Sequence, residues 1–171
     1  MVEKRLLIGL FPSREVQGEI KAHCEEWWWP THSTFPPKER LHLTLQYLND
    51  LDTAAEQHLC ATLAGVAAPP LELTLDRSCT WPNDVSVVQP AAHEGLRALH
   101  GHVERALLHA GFVSRVHNSW TPHITIARDT ERAAGPLCLP PIHWKAHEFR
   151  LVRSHFTYPF RHELLASYPL R

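Results

Sequence analysis

Residues 40–48 read RLHLTLQYL and residues 121–128 read TPHITIAR. Each holds the same pattern, His-aliphatic-Thr-aliphatic, as His42-Leu43-Thr44-Leu45 and His123-Ile124-Thr125-Ile126. In a strand, alternation puts His42, Thr44 and Gln46 on one face and Leu41, Leu43, Leu45 and Tyr47 on the other. In the second copy His123 and Thr125 share a face, opposed by Ile124 and Ile126. The aliphatic faces are natural core faces, so both His-Thr faces are expected to look away from the core, toward solvent or a groove. One such motif carries little weight in a chain of 14 histidines. Two copies with the same facing point to one shared site.

Working outward, RLLIGLF (5–11) reads as a buried strand, and Ser13 caps a helix predicted from Arg14 to Glu26. The aromatic, turn-rich segment WWWPTHSTFPPKER leads into the first motif. A helix is predicted over 53–65, followed by the strand LELTLDR (71–77) and its hairpin partner DVSVVQ (84–89). An amphipathic helix over 93–110 stops at Gly111. The second motif strand spans 122–128, and strands at 142–154 and 163–169 close the chain. Strands interleaved with helices imply an α/β or α+β fold.

The 171 residues suit one domain spanning 1–171. No apolar run spans a bilayer, and Pro12 interrupts the N-terminal one, so neither a membrane span nor a signal peptide is expected. Cys24, Cys60, Cys79 and Cys138 are scattered without a C-x-x-C pair, which fits reduced thiols and a cytoplasmic protein. The net charge of −1 excludes bulk electrostatic binding of nucleic acid and leaves only local contact, at one end or one nucleotide. Among the basic residues 13 are Arg and 4 are Lys. That bias suits fork-like phosphate contacts, although an Arg-rich codon usage explains it more simply.

Two imidazoles and two hydroxyls are a reagent set for phosphodiester cleavage without metal. One histidine serves as base for the attacking oxygen and the other as acid for the leaving oxygen. Thr44 and Thr125 can stabilise charge on non-bridging oxygens. Arg128 adds a full positive charge, but regular alternation puts it on the Ile124/Ile126 side, so reaching the phosphate requires a twist or bulge. Phe35 and Trp120, each just upstream of a motif, are candidates for stacking a terminal base. The Trp27–Trp29 run is better read as a helix-end cluster on the core. His32, His117, His143 and His147 lack ligand spacing, so no metal and no cofactor are expected. His100, His102 and His109 are read as solvated helix residues.

The two motifs and their flanks resemble the paired HxTx signature of the 2H phosphoesterase superfamily, most closely its RNA 2′,3′-cyclic phosphodiesterases, first named 2′-5′ RNA ligases. RLLIGLFPS, PPKERLHLTLQYLND, WTPHITIAR and the closing FRLVRSHF and YPL resemble that family's blocks in order. Tyr47, Asn49 and Ile126 stand where the family usually has Phe, Gly and Leu. The resemblance implies a bilobal α/β fold, with two mixed or antiparallel sheets lining a central cleft and helices outside. It implies metal-independent hydrolysis of an RNA terminal 2′,3′-cyclic phosphate to a 2′-phosphate, with reversible 2′-5′ ligation at the same site. On that likeness His42 is the acid, His123 the base, Thr44 and Thr125 the phosphate hydroxyls, and Arg128 the clamp. The expected partners are RNA ends or small cyclic nucleotides, with no membrane, no obligatory protein partner and a monomeric state. Alternatives are a 2H esterase of 2′-5′ oligonucleotides, cyclic dinucleotides or ADP-ribose cyclic phosphate, and a non-catalytic RNA-end binder.

Overall fold

The computed structural model of the chain describes residues 2–113 and 119–171. Within them, eight strands and three α-helices follow in the order β1 (Lys4–Leu10), α1 (Arg14–Glu25), β2 (Leu43–Asn49), α2 (Thr53–Ala64), β3 (Leu71–Thr80), β4 (Val85–Pro90), α3 (Glu94–His109), β5 (Ile124–Arg128), β6 (Ile142–Ala146), β7 (Glu148–His155) and β8 (Arg161–Pro169). The strands form one sheet in the order β6-β3-β4-β5-β2-β1-β7-β8, antiparallel throughout. The expected pair of sheets is thus joined into one. The joint is narrow, because β2 and β5 pair only at Leu43 and Ile124. The two motif strands therefore lie side by side at the centre.

The helices form where side chains satisfy their first turns. Ser13 Oγ accepts from the Val16 amide at 3.3 Å and Asp52 Oδ1 from the Ala55 amide at 2.8 Å. The His93 imidazole caps α3 by accepting from the Leu96 amide at 3.1 Å. Caps of this kind contribute about 0.5–2 kcal/mol each. Gly111, at φ +86°, turns the chain out of α3. Leu96, Leu99, Val103 and Leu107 form the buried stripe of α3, and Val16, Ile20 and Cys24 that of α1. Together with Leu6, Ile8, Leu10, Leu43, Leu45 and Ile124 they make the core on the helix side of the sheet. Helix α1 packs against β6, on the half of the sheet opposite its own strands, while α3 packs against β2. These crossed helices tie the halves together.

One segment departs from expectation. The strand predicted over 142–154 is two strands broken at His147, because β6 pairs with β3 at one end of the sheet and β7 with β1 near the other. No backbone run can serve both partners. The tryptophan run packs as expected: Trp27 is buried and stacks on Trp29 with centroids 4.6 Å apart, while Trp28 stays exposed. Beyond β2, Arg153 gathers Asp50, Glu56 and Glu163, tying β2, α2 and β8 to β7. Among the described residues no helix is long and apolar enough to cross a membrane.

Both motif strands carry a β-bulge at the same position. Ile8 pairs with Gln46 and Gly9 with Thr44, leaving Leu45 outside the register. Ser86 pairs with Ala127 and Val87 with Thr125, leaving Ile126 outside it likewise. A bulge inserts one residue and reverses the facing of everything beyond it. Gln46 therefore turns to the helix side, where it is buried beside His100 with Nε2 atoms 3.2 Å apart, and Tyr47 turns to the open face. The alternation read from the sequence placed both the other way. The bulge also explains Gly9, where a Cβ would sit 2.7 Å from the Leu43 carbonyl oxygen. Gly9→Ala is expected to destabilise the protein by about 1–3 kcal/mol, as overpacking against backbone does. An unchanged urea midpoint would show that the bulge yields freely.

Candidate active site

Each motif histidine is the residue just before its strand, and each is fixed the same way. His42 Nδ1 lies 2.6 Å from the Arg40 carbonyl oxygen, and His123 Nδ1 lies 2.8 Å from that of Thr121. A carbonyl only accepts, so both rings carry their hydrogen on Nδ1. Each Nε2 is then left with a lone pair in the neutral ring. Aromatic rings hold the imidazoles in place. Phe11 stacks on His42 at 5.5 Å between centroids, and Trp81 meets His123 edge-on at 4.4 Å.

Because Leu43 faces Ile124 in an antiparallel pair, Thr44 runs beside His123 and His42 beside Thr125. Thr44 and His123 line one cavity with Tyr47, Trp81, Ser119, Trp120 and Thr121, about 280 Å³ in volume. Thr44 Oγ1 donates to the Tyr47 hydroxyl at 3.1 Å. Trp120 donates from its indole nitrogen to the Thr44 carbonyl at 3.0 Å and stacks flat on His100 at 3.9 Å. His100 is therefore a buried supporting ring, not the solvated helix residue that its position suggested. Phe35 leans edge-on against Trp29 at 5.2 Å and stands outside the cavity lining.

The second bulge settles the facing of Arg128. Beyond Ile126 the alternation reverses, so buried Ala127 takes the helix side and Arg128 the open face with His123 and Thr125. Thr34 holds the Arg128 backbone from the other edge of β5, through bonds of 3.0 and 2.9 Å. The guanidinium charge reaches both imidazoles and disfavours protonation of each. Burial is the larger cause. It pushes His42 down to about 4, with lesser contributions from the charges of His123, Arg40 and Arg128, against the bond to Arg40 that raises it. His123 is lowered by burial and then by Arg128, against its bond to Thr121. The charge of a protonated His123 thus disfavours protonation of His42.

Several contributors were not found by reading the sequence. Tyr47 stands three residues past Thr44, as Arg128 stands three past Thr125, and comparing the two copies beyond their fourth residue would have exposed that match. Trp81, Phe11 and His162, whose ring lies 5.3 Å from that of His42, carry no local signal. Of the histidines weighed as metal ligands, His117 lies outside the described residues. Among the described residues no group of three or more His, Cys, Asp and Glu side chains is placed to hold a metal ion.

Residues 12–157 match the sequence profile of the 2′-5′ RNA ligase superfamily. The chain belongs to that superfamily. No curated protein matches it. Among solved structures it is similar to a phosphoesterase, with a TM-score of 0.84 at 24% identity over 98% of both chains. It is similar also to E. coli LigT, with a TM-score of 0.81 at 22% identity over 99% of both chains. A protein of Thermus thermophilus gives 0.71 at 25% identity over 98% of both. The described fold is thus that of the 2H phosphoesterases. LigT has been crystallised with phosphate, 3′-AMP, ATP and NADP+.

The electrostatics of the site can be tested directly. Arg128→Gln is expected to raise the pKa of both His42 and His123, since it removes a charge that lowers each. An NMR titration of the ring carbons reads this, and unmoved midpoints would place Arg128 away from the site. Stability should respond to pH as well. His23, His42, His100, His123 and His162 all lie below their ordinary value of 6.5 in the folded chain, His42 at about 4 and His162 at about 3. The unfolded chain thus binds protons first, so stability is full above pH 6.5 and falls through the window from about 6.5 to 3. The urea midpoint should be lower at pH 5 than at pH 7; a constant midpoint would contradict these burials.

Proposed function

We propose that the chain hydrolyses a terminal 2′,3′-cyclic phosphate of RNA to a 2′-phosphate, with His42 and His123 as the acid-base pair. The observation that carries this reading is the matched tautomer: two neighbouring imidazoles, each tied through Nδ1–H to a backbone carbonyl, which leaves the lone pair of each neutral ring on Nε2. His123 Nε2 takes a proton from water as the water oxygen bonds to phosphorus. The bond from phosphorus to O3′ breaks, and His42 Nε2–H gives its proton to that oxygen. Thr44, Thr125 and Arg128 bear the charge gathering on the non-bridging oxygens. The aromatic cavity beside His123, walled by Tyr47, Trp81 and Trp120, suits the terminal base.

Assigning the acid to His42 follows the family resemblance and sets a condition. Burial lowers both rings, and His42, held down to about 4, is also lowered by the charge of His123. The acid role of His42 therefore requires that the bound phosphate raise it. A cleft that only bound RNA ends would be poorly served by these rings. At neutral pH each presents a lone pair, not a donor, to the phosphate. Against 2′-5′ oligonucleotides, cyclic dinucleotides and ADP-ribose cyclic phosphate, the RNA-end reading is tested by kcat/KM on a panel of all four.

His42→Ala and His123→Ala are each expected to lower kcat on a 2′,3′-cyclic nucleotide by about 10²–10⁴-fold. A diester with a p-nitrophenolate leaving group needs no acid. His42→Ala should recover on it while His123→Ala does not. Recovery of His123→Ala alone would exchange the two roles, and full activity of either variant on the natural diester would reject the mechanism.

A further inference from the structure

Beyond His42, on the side away from the aromatic cavity, lies a second group of basic side chains that the hydrolysis does not use. His162 of β8 places its ring 5.3 Å from that of His42 and 6.0 Å from that of Phe11. Arg150 of β7 lies with its guanidinium carbon 5.5 Å from the Phe11 ring centre. Arg40, two residues before His42, bears its charge on both His42 and His162. Phe11 is thus the hub of a cluster drawn from the end of β1, the approach to β2, and from β7 and β8.

The hydrogen bonding of this cluster is incomplete. Arg40 Nε, Arg150 Nε and His162 Nδ1 are all buried, and none has a hydrogen-bond partner among the described residues. A buried donor or acceptor left unpaired costs about 1–3 kcal/mol, so three in one place are a burden that a ligand would relieve. Glu148 meets the cluster, bound to Arg150 at 3.0 Å, and it leaves the Arg40 charge unopposed among the described residues. Desolvation disfavours the charge on Arg40, and burial with the neighbouring charges of His42 and Arg40 holds His162 down to about 3. Each of these strains is eased by an anion.

We infer that Arg40, Arg150 and His162 form a second phosphate subsite beside His42, which takes another phosphate of the same nucleotide substrate. This rests on the placement of the reacting phosphate between His42 and His123 proposed above. It makes the preferred substrate one with a further phosphate a single linkage away, and a bare cyclic mononucleotide a poor mimic. Two sources supply that chemistry: the 5′-phosphate of the terminal nucleotide, or a phosphate on a nucleoside joined through a 2′-5′ linkage. Arginine forks and a neutral imidazole suit either.

Calorimetric binding separates these without turnover. The first arm compares adenosine 2′-phosphate with adenosine 2′,5′-bisphosphate. The second compares 2′-5′-linked diadenosine monophosphate with and without a 3′-phosphate on its second nucleoside. In one arm the additional phosphate is expected to tighten binding by roughly tenfold or more, the size of one charge-assisted hydrogen bond. The arm that responds names the source. Arg150→Met should bring that ratio close to one, and His162→Asn, a smaller change, should reduce it should Arg150→Met fail to fold. A ratio near one in both arms for the unaltered protein, or a ratio that survives both variants, overturns the subsite. Absence of cyclic-phosphate turnover with the ratio intact would reject the hydrolase reading and keep the subsite. Turnover with the ratio near one would do the reverse.

Discussion

Leu43 and Ile124 face each other at the centre of the sheet, and among the described residues they are the one register pair that joins β2 to β5. Both side chains are fully buried on the helix side. Whatever precedes and follows them must emerge on the opposite face, and those residues are His42, Thr44, His123 and Thr125. Burying two aliphatic side chains therefore brings two imidazoles and two hydroxyls together without devoting a loop to the task. The crossed packing of α1 and α3 then keeps the halves from separating at so narrow a joint.

The bulges refine what that pairing begins. One extra residue after each threonine reverses the facing of the strand, delivering Tyr47 on one side and Arg128 on the other to the same open face. The copies thus differ in one chemical respect. The second brings a cation whose charge acts on both imidazoles, and the first brings a phenol whose hydroxyl takes the Thr44 hydrogen bond. The positive charge lies at the end of the second motif strand, where it lowers both histidines.

The elements of the fold were largely legible, because hydrophobic periodicity and caps such as Ser13 and Gly111 are local signals. The motif residues were legible because they recur. What stayed hidden depends on tertiary geometry. A bulge leaves no mark in a run such as LTLQYL, so Gln46 and Tyr47 were placed on exchanged faces and Arg128 stood in doubt. The break at His147 follows from which strand each neighbour pairs with, not from any turn residue. Phe11, Trp81 and His162 come from segments far from either motif, and only the curl of the sheet brings them to the imidazoles. His100 looked like a solvated helix residue because its partners, Gln46 and Trp120, lie on other elements.

The proposed acid-base pair requires a single phosphorus shared by two rings. A crystal structure with a nucleoside 2′-phosphate bound tests this most directly. It should show His42 Nε2 and His123 Nε2 each within about 2.6–3.2 Å of oxygens on the same phosphorus, with both Nδ1 bonds to Arg40 and Thr121 intact. A phosphate held by one ring alone, or lying outside the face between β2 and β5, would contradict it.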